Sequence, residues 1–146
     1  MNLHSNRAVG KYIIRMTQHI IGIDTFIRSS YFEQLTENDI NTLISFYRDG
    51  SKVNYDNKLY STLSEIKDFL KDFSGQTFII KGSTSQQIMD SNWYHVSVIG
   101  TFKSSNEKTI NSFACSFVIE GFLDEQRAFI ADQNFITFKK KHQSSS

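Results

Sequence analysis

Seven side chains in this sequence are of the types that carry out acid–base chemistry in an apolar pocket. Such a site needs a carboxylate or a histidine in apolar surroundings and a donor, such as a tyrosine hydroxyl, held against the substrate oxygen. The candidates are Tyr31, Tyr47, Tyr55, Asp56, His95, Asp132 and Gln133. We expect structural roles for them: the tyrosines at the edge of a core, His95 on a surface, and Asp132 beside a strand bulge.

The sequence lacks the short motifs of metal, phosphate and acyl-transfer chemistry. It contains no His-Glu-x-x-His spacing, its glycines are scattered, and no serine lies in a Gly-x-Ser-x-Gly context. We therefore expect no catalytic residue, no metal ligand and no cofactor. We predict that the protein is not an enzyme.

The distribution of charge argues against a nucleic-acid-binding core. The net charge is +1, but residues 23–138 contain ten basic and fifteen acidic residues. A domain that binds phosphates usually presents a basic face. The single cysteine, Cys115, permits no internal disulfide and is typical of a buried small residue in a reducing compartment. No apolar run has the roughly 18 to 20 residues of a membrane span, so we expect a soluble, intracellular protein.

Three strand-like runs in residues 94–138 dominate the elements that would position these side chains. The runs are rich in β-branched and aromatic residues and are joined by short polar segments: YHVSVIGTFK, NSFACSFVIEG and RAFIADQNFITF. They predict an antiparallel meander. Because strand side chains alternate, Phe113, Cys115, Phe117 and Ile119 share the core face, and smaller residues share the outer face. Such an outer face indicates either a binding surface or a plain solvent-facing sheet.

The part of the sequence before the meander has apolar residues at helical spacing, which predicts helices there. Asp24 is predicted to cap one helix, and Thr36 with Asp39 is predicted to cap a second helix that ends at Gly50. An Asp-Asn turn then joins two short extended pieces, Ser61 or Thr62 starts the helix LSEIKDFLKDF, and the strand QTFIIKGSTSQQIM follows. The order predicts an α+β fold with helices packed on one face of a strongly curved antiparallel sheet.

Three segments are predicted along the chain. Residues 1–22 are a basic amphipathic N-terminal extension, residues 23–138 are one domain, and residues 139–146 are a basic disordered tail. In the extension the basic residues are spaced by four, with the apolar residues largely elsewhere: Arg7, Lys11, Arg15 and His19. We expect its apolar side to dock on the domain; an anionic partner or a membrane surface is the alternative.

Five phrases, in their order and at their separations, carry a resemblance to a known family. They are LISFYRDGSKVNY, IKDFLKDF, VSVIGTFK, NSFACSFVI and FIADQNFITF. They resemble the nuclear transport factor 2-like fold and, more narrowly, its nuclear transport branch. The resemblance implies a cone, in which a curved sheet wraps a long helix with one face and meets a second, similar domain with the other. The implied partner-binding residues are His95, Ser97, Ile99, Thr101, Ser112, Ala114, Ser116, Val118, Asn134 and Ile136.

Within this branch the sequence departs from the homodimeric carrier of the Ran GTPase. Its hairpin at Ser104–Lys108 lacks most of the acidic residues of that carrier, although Asp56 matches one acidic position after an aromatic residue. Ile136 stands where the branch tends to have an arginine that pairs across the dimer. These departures imply a sheet face that binds a domain other than its own copy.

The resemblance therefore implies the small subunit of the heterodimeric mRNA export receptor. Its partners would be the large subunit of that receptor and the Phe-Gly repeats of nucleoporins, with RNA bound only through the large subunit. The implied location is the nucleus and the nuclear pore, with shuttling to the cytoplasm. Three alternatives stay open: a homodimeric Ran-GDP import carrier, a small isomerase- or dehydratase-type enzyme with a pocket inside the cone, and an adaptor domain.

Overall fold

The computed structural model describes residues 22–104, 106–122 and 127–138. The predicted N-terminal extension, residues 1–22, lies outside the described residues except for Gly22. The predicted basic tail, residues 139–146, lies outside them entirely. Residues 22–37 are helical and are called α1. The other elements are α2 (Ile40–Ile44), β1 (Tyr47–Tyr55), β2 (Lys58–Tyr60), α3 (Leu63–Phe73), β3 (Thr77–Gln87), β4 (Trp93–Lys103), β5 (Asn111–Phe122) and β6 (Arg127–Phe138).

The six strands form one curved sheet in the order β2-β1-β6-β5-β4-β3. The four long strands β3 to β6 pair in sequence as an antiparallel meander, as predicted. The strand β1 joins the far side of β6 in parallel and carries β2 as an antiparallel hairpin. The predicted α+β class, with helices on one face of a strongly curved sheet, is confirmed; the parallel pairing is an addition that the sequence did not indicate.

The helix α1 contains a wide turn. Its Phe26–Tyr31 segment is π-helical, with hydrogen bonds that span five residues rather than four. The buried residues Ile23, Ile27 and Tyr31 recur every four positions, and the wide turn keeps them on one side of the helix. Asp24 lies inside this helix rather than capping it; its carboxylate is 3.1 Å from the guanidinium of Arg28.

The second predicted helix is shorter than expected and begins later. Asn38 has a left-handed backbone (φ 62°) and ends α1, and Asp39, rather than Thr36, caps α2 by accepting a hydrogen bond from the Thr42 amide at 3.2 Å. The chain then enters β1, because buried Tyr47 pairs with the last strand. Gly50 does not end a helix; it lies with φ 91° where the β1–β6 register shifts, which is a bulge.

The next two predictions from local sequence are confirmed. Asp56 and Asn57 form the turn of the β1–β2 hairpin, both with positive φ. Thr62 caps α3 by accepting a hydrogen bond from the Glu65 amide at 3.1 Å. The buried side of α3 faces the concave side of the sheet.

Aromatic rings link the helices to the sheet in the core. Phe73 of α3 lies 4.6 Å from Phe135 of β6, measured between ring centroids. Phe135 stacks on Phe113 of β5 at 5.0 Å, and Phe113 stacks on Phe32 of α1 at 5.4 Å. All four side chains are buried. Contacts of this kind add about 0.5 to 1.5 kcal/mol to simple area burial, so this chain of rings fixes where both helices sit.

Gly100 of β4 has the closest neighbours of the glycines in the sheet. A Cβ atom at this position would lie 2.2 Å from the carbonyl oxygen of Ile79 and 2.9 Å from Cε1 of Phe113. The close approach occurs beside the β3 bulge, where the register shifts between Ile80 and Gly82. The carbonyl oxygen belongs to the backbone and cannot rotate away, so glycine is required there.

Gly100→Ala is expected to lower the free energy of unfolding by about 2 to 3 kcal/mol, because the added methyl group overpacks the core. Gly82→Ala is the matched control, since its nearest contact would be Cγ1 of Ile99 at an ordinary 3.5 Å, and it should change stability by less than about 1 kcal/mol. Urea unfolding followed by tryptophan fluorescence gives both values. Equal losses in the two variants would contradict the steric argument.

Candidate partner-binding face

The ten residues predicted to bind a partner all lie on the outer, convex face of the sheet. Their neighbours along each strand, such as Val96, Val98, Phe117 and Phe135, are buried against the helices. None of the ten is buried, and Ile99, Ser112, Asn134 and Ile136 are exposed. The alternation read from the sequence therefore places each side chain correctly, whereas the role of these residues in binding stays a prediction.

Strand register arranges these residues in rows across β4, β5 and β6. Ile99, Ala114 and Ile136 lie side by side and form an apolar row. The next row contains Ser97, Ser116 and Asn134, and the row after it contains His95, Val118 and Asp132. Thr101 and Ser112 pair on the other side of the apolar row. The face therefore changes from apolar to polar along the strands.

Two apolar residues of this face were missed by the sequence prediction. Ile79 of β3 pairs with Thr101, and Phe138 of β6 pairs with Ser112. Together with Ile99 and Ile136, they leave four large apolar side chains between 43% and 57% exposed. Alternation within the β3 and β6 phrases would have indicated both positions. We call Ile79, Ile99, Ala114, Ile136 and Phe138 the apolar end of the face.

The opposite end of the outer face is ionic and aromatic. Arg48 of β1 forms a salt bridge of 2.6 Å with Glu120 of β5. The guanidinium carbon of Arg48 lies 5.8 Å from the Trp93 ring centroid and 5.4 Å from that of Phe129, within the range of cation–π attraction. These four residues, called the ionic end, were not predicted, because nothing in the local sequence of Arg48 indicates a strand that joins the far side of β6.

The concave side holds three of the acid–base candidates in one closed hydrogen-bonded ring. The hydroxyls of Tyr31 and Tyr47 are 3.1 Å apart, Gln133 Nε2 donates to the Tyr31 hydroxyl at 2.8 Å, and the Tyr47 hydroxyl donates to Gln133 Oε1. Since each hydroxyl has one proton, Tyr31 must donate to Tyr47, and every member then donates once and accepts once. Gln133 Nε2 also lies 3.7 Å from Sγ of Cys115.

Burial sets the protonation of this ring. Desolvation raises the pKa of the Tyr31 and Tyr47 hydroxyls well above the ordinary value near 10, and it raises the pKa of the Cys115 thiol in the same way. All three groups are therefore neutral at physiological pH. The ring therefore places hydrogen-bonded, uncharged groups on the concave side, and neither a carboxylate nor an imidazole is buried among the described residues.

The remaining acid–base candidates lie away from the ring. Asp56, in the β1–β2 turn, accepts hydrogen bonds from the amide and the hydroxyl of Thr137, at 2.9 Å and 2.5 Å. His95 is half-buried on the outer face, and Asp132 is exposed beside the β6 bulge at Ala131, where the β5–β6 register shifts. Tyr55 packs against the rings of α3. The structure therefore does not bring these four together with the ring.

The described residues contain no group of three or more His, Cys, Asp or Glu side chains placed to hold a metal ion. Within the same residues, no helix is both long enough and apolar enough to cross a membrane.

A curved sheet with helices on its concave side and a half-apolar outer face defines a cone-shaped α+β domain. Residues 23–136 match the model of the nuclear transport factor 2 (NTF2) domain. This match covers most of the chain, and the protein belongs to the nuclear transport factor 2 domain family. A comparison with curated protein sequences found no significant relative.

Solved structures resemble this chain in fold. An NTF2-like protein of unknown function from Pseudomonas putida KT2440 has a TM-score of 0.71 at 9% identity and covers 89% of this chain and 94% of its own. Nuclear transport factor 2 from Cryptosporidium parvum has a TM-score of 0.68 at 15% identity, covering 79% and 90%. OCP1 of Fremyella diplosiphon has a TM-score of 0.62 at 18% identity. The match covers 73% of this chain and 32% of OCP1, so the chain spans about a third of that protein. Identities this low establish the fold alone.

The buried ring generates a prediction about alkaline pH. The folded-state pKa of Tyr31 and Tyr47 lies above the unfolded value near 10, so their contribution to stability is complete below pH 10 and is lost as the pH rises further. In that range each tyrosine lowers the free energy of unfolding by at most about 1.4 kcal/mol for every unit of rise in pH. At pH 8 the free energy of unfolding of Tyr47→Phe should be about 1 to 3 kcal/mol below that of wild type, because the Gln133 oxygen loses its donor. Between pH 8 and pH 11, however, the free energy of unfolding should fall less in Tyr47→Phe than in wild type, because one buried titrating hydroxyl has been removed.

Urea unfolding at the two pH values measures this difference. Phe69→Leu is the control, because it truncates an equally buried core residue that does not titrate; it should lower stability at both pH values by a similar amount. A Tyr47→Phe variant with the same pH dependence as wild type would show that the ring does not govern alkaline stability.

Proposed function

We propose that this chain is a non-enzymatic subunit of nuclear transport that binds the related domain of a large mRNA export receptor through its outer sheet face. The observation that carries the proposal is the apolar row Ile99–Ala114–Ile136 at the apolar end of the outer sheet face, in which both isoleucines are exposed. Exposed apolar patches of this kind mark protein interaction sites. The heterodimer of this chain and the large receptor subunit would in turn bind Phe-Gly repeats of nucleoporins and shuttle between nucleus and cytoplasm.

The polarity of the face supports a partner other than a second copy. In a twofold pairing about an axis that runs across the strands at Ser116, the apolar row of one chain lies over the row of His95, Val118 and Asp132 of the other. Ile136 then lies over the Asp132 carboxylate, and burying that charge is costly. A related domain with the opposite order of polar and apolar rows avoids this conflict and covers the whole face.

The interior supports a role in binding rather than catalysis. Family members with an active site inside the cone need a base in an open pocket, whereas here the neutral ring of Tyr31, Tyr47 and Gln133 occupies that depth. The chemistry available to this domain among its described residues therefore lies on its surface.

The second candidate is a homodimeric Ran-GDP carrier, favoured by the likeness in fold to nuclear transport factor 2 from Cryptosporidium parvum. A twofold pairing centred on Ala114 is compatible with it, because Ile99 and Ile136 flank Ala114 symmetrically and would each lie over the other in the second copy. This pairing leaves the ionic end uncovered.

Ser116→Glu is expected to weaken binding to the nuclear transport factor 2-like domain of the large export receptor by at least about tenfold, since a carboxylate buried between two sheets loses its hydration. The measurement is a pull-down or titration calorimetry with that domain. Ser64→Glu, an equal change at an exposed position of α3, should bind like wild type. Wild-type affinity in Ser116→Glu, with unchanged thermal stability, would show that the wrong face was chosen.

The two oligomeric alternatives predict different behaviour of the purified chain. For a heterodimer subunit, light scattering after size exclusion should give a monomer, and Ala114→Cys in a Cys115→Ala background should form no dimer with a thiol cross-linker that spans the roughly 10 Å between stacked sheets. For the Ran carrier, the chain should be a stable dimer, the same reagent should link two Ala114→Cys chains across the twofold axis, and Ran loaded with GDP should bind. The second set of results would overturn the heterodimer proposal.

A further inference from the structure

The strand β3 forms one edge of the sheet and pairs only with β4. The first part of this edge is protected. The amide of Phe78 donates to Oγ1 of Thr36 at 3.3 Å, so α1 takes the place of a neighbouring strand there, and Lys81 follows in a bulge. Helices, bulges and lysines are the usual means by which proteins block a sheet edge. Residues 82–88, called the β3 edge, contain no charged residue and no proline, so they lack the side chains that prevent pairing.

The backbone of the β3 edge points alternate groups away from β4. The Ile88 amide donates to the Trp93 carbonyl at 2.8 Å, so these two residues form a hydrogen-bonded pair. The register from residue 82 to residue 87 is unbroken and antiparallel, and in such a ladder hydrogen-bonded pairs alternate with pairs that are not bonded. The residues whose amides and carbonyls face away from β4 are therefore Ser83, Ser85 and Gln87. Within the described part of the chain, these backbone groups have no hydrogen-bond partner.

The hydroxyl of Ser85 also lacks a partner. Its Oγ is buried and accepts or donates no hydrogen bond, and no other buried side-chain nitrogen or oxygen of the described residues is in this condition. An unsatisfied buried hydroxyl is destabilising. The hydroxyl turns about a single bond, so a polar side chain on a strand beside β3 would satisfy it. The neighbouring Ser83 hydroxyl, in contrast, donates to Asp24 and accepts from Arg28, both at 2.7 Å, which holds the β3 edge against α1.

The outer side of the β3 edge has an apolar position at each end. Gly82 has no side chain, and Ile99 of β4, which is 57% exposed, lies beside it. Ile88 at the other end is 39% exposed. The outward residues between them, Thr84 and Gln86, are exposed and uncharged. A neighbouring strand with an apolar side chain at each end would therefore cover Ile88 and, across Gly82, Ile99.

We propose that the β3 edge binds an extended, uncharged segment of a partner protein as an added antiparallel strand. Main-chain hydrogen bonds to Ser83, Ser85 and Gln87 hold the segment, and its alternate side chains select it. The selected pattern has the length of the β3 edge, with an apolar residue at each end and a serine or threonine in the middle, opposite Ser85. A charged middle residue is excluded, because its charge would be buried beside Ser85 without a counter-charge.

The space beside the β3 edge suits a short segment better than a second copy of the domain. In a twofold pairing about Ser85, residues 89–92 of the second copy would extend along the edge towards Phe78, where α1 already lies. A single strand that matches residues 82–88 ends before that point. The hydrogen-bonding groups of the β3 edge lie in the plane of the sheet, so this inference does not depend on the partner of the outer face.

A labelled peptide tests the backbone pairing. The probe is fluorescein-labelled Ile-Thr-Thr-Ser-Thr-Thr-Phe, with its serine opposite Ser85 and its phenylalanine opposite Gly82, and fluorescence anisotropy with the full-length chain should show saturable binding. Methylating the backbone nitrogen of the serine, which faces β3, should weaken binding at least about tenfold. Methylating the backbone nitrogen of the preceding threonine, which faces away, should change binding less than about threefold. The absence of binding, or equal losses in the two methylated peptides, would overturn the proposal.

A variant of the chain tests the same contact from the side of the domain. Ser85→Pro removes an outward amide and keeps the bonds to β4, as edge strands allow, and should weaken peptide binding at least about tenfold. Ser116→Glu, on the outer face of β5, should bind the peptide like wild type, which separates this inference from the proposed function. Wild-type affinity in Ser85→Pro with native circular dichroism, or equal weakening in Ser116→Glu, would contradict the proposal. So would a dimer that Ser85→Pro converts to a monomer, because a second copy would then occupy the edge. The methylated peptides are compared on the unchanged chain, so that comparison decides even if Ser85→Pro does not fold.

Discussion

The hydrogen-bonded ring of Tyr31, Tyr47 and Gln133 joins α1, β1 and β6 in the buried interior of the domain. Each member is buried, and a buried hydroxyl or amide without a partner costs about 1 to 3 kcal/mol. The ring is satisfied only if α1, β1 and β6 occupy one arrangement. The ring therefore stabilises the observed register of the parallel β1–β6 pairing, because a slip of one residue in either strand would turn Tyr47 or Gln133 to the other face of the sheet.

The position of the ring also explains the division between the two faces of the sheet. Once Tyr47 and Gln133 point inward, alternation sends Arg48 and Asn134 outward. The aromatic rings of α3, β5 and β6 fill the rest of the concave side. Small residues are then left on β4 and β5 to form an outer surface flat enough for a second sheet to approach.

The sequence allowed a prediction of the fold where the physical signal is local. In β4 and β5 the period of two is unbroken over about ten residues, and in β6 it holds from Asp132 to Phe138, after the bulge at Ala131; it placed all ten predicted face residues outward. The phrase that contains Gly50 misled the prediction, because its apolar spacing suits a helix, and only the pairing of Tyr47 with a strand about eighty residues away makes it β1. For the same reason neither the ring nor the salt bridge of Arg48 with Glu120 could be predicted. Their members come together only because β1 pairs with β6, and nothing in the local sequence indicates that pairing.

The same constraint bears on function. Known acid–base sites in apolar pockets use a carboxylate or a histidine whose pKa is shifted by its surroundings. In this domain Gln133 satisfies both tyrosines without a ligand, and desolvation holds their pKa values above the range in which they could exchange protons at neutral pH. On the outer face Ile99 and Ile136 remain half exposed beside Ala114. Four of the eight exposed large apolar side chains among the described residues lie together at this apolar end, so a partner that covered it would remove them from water.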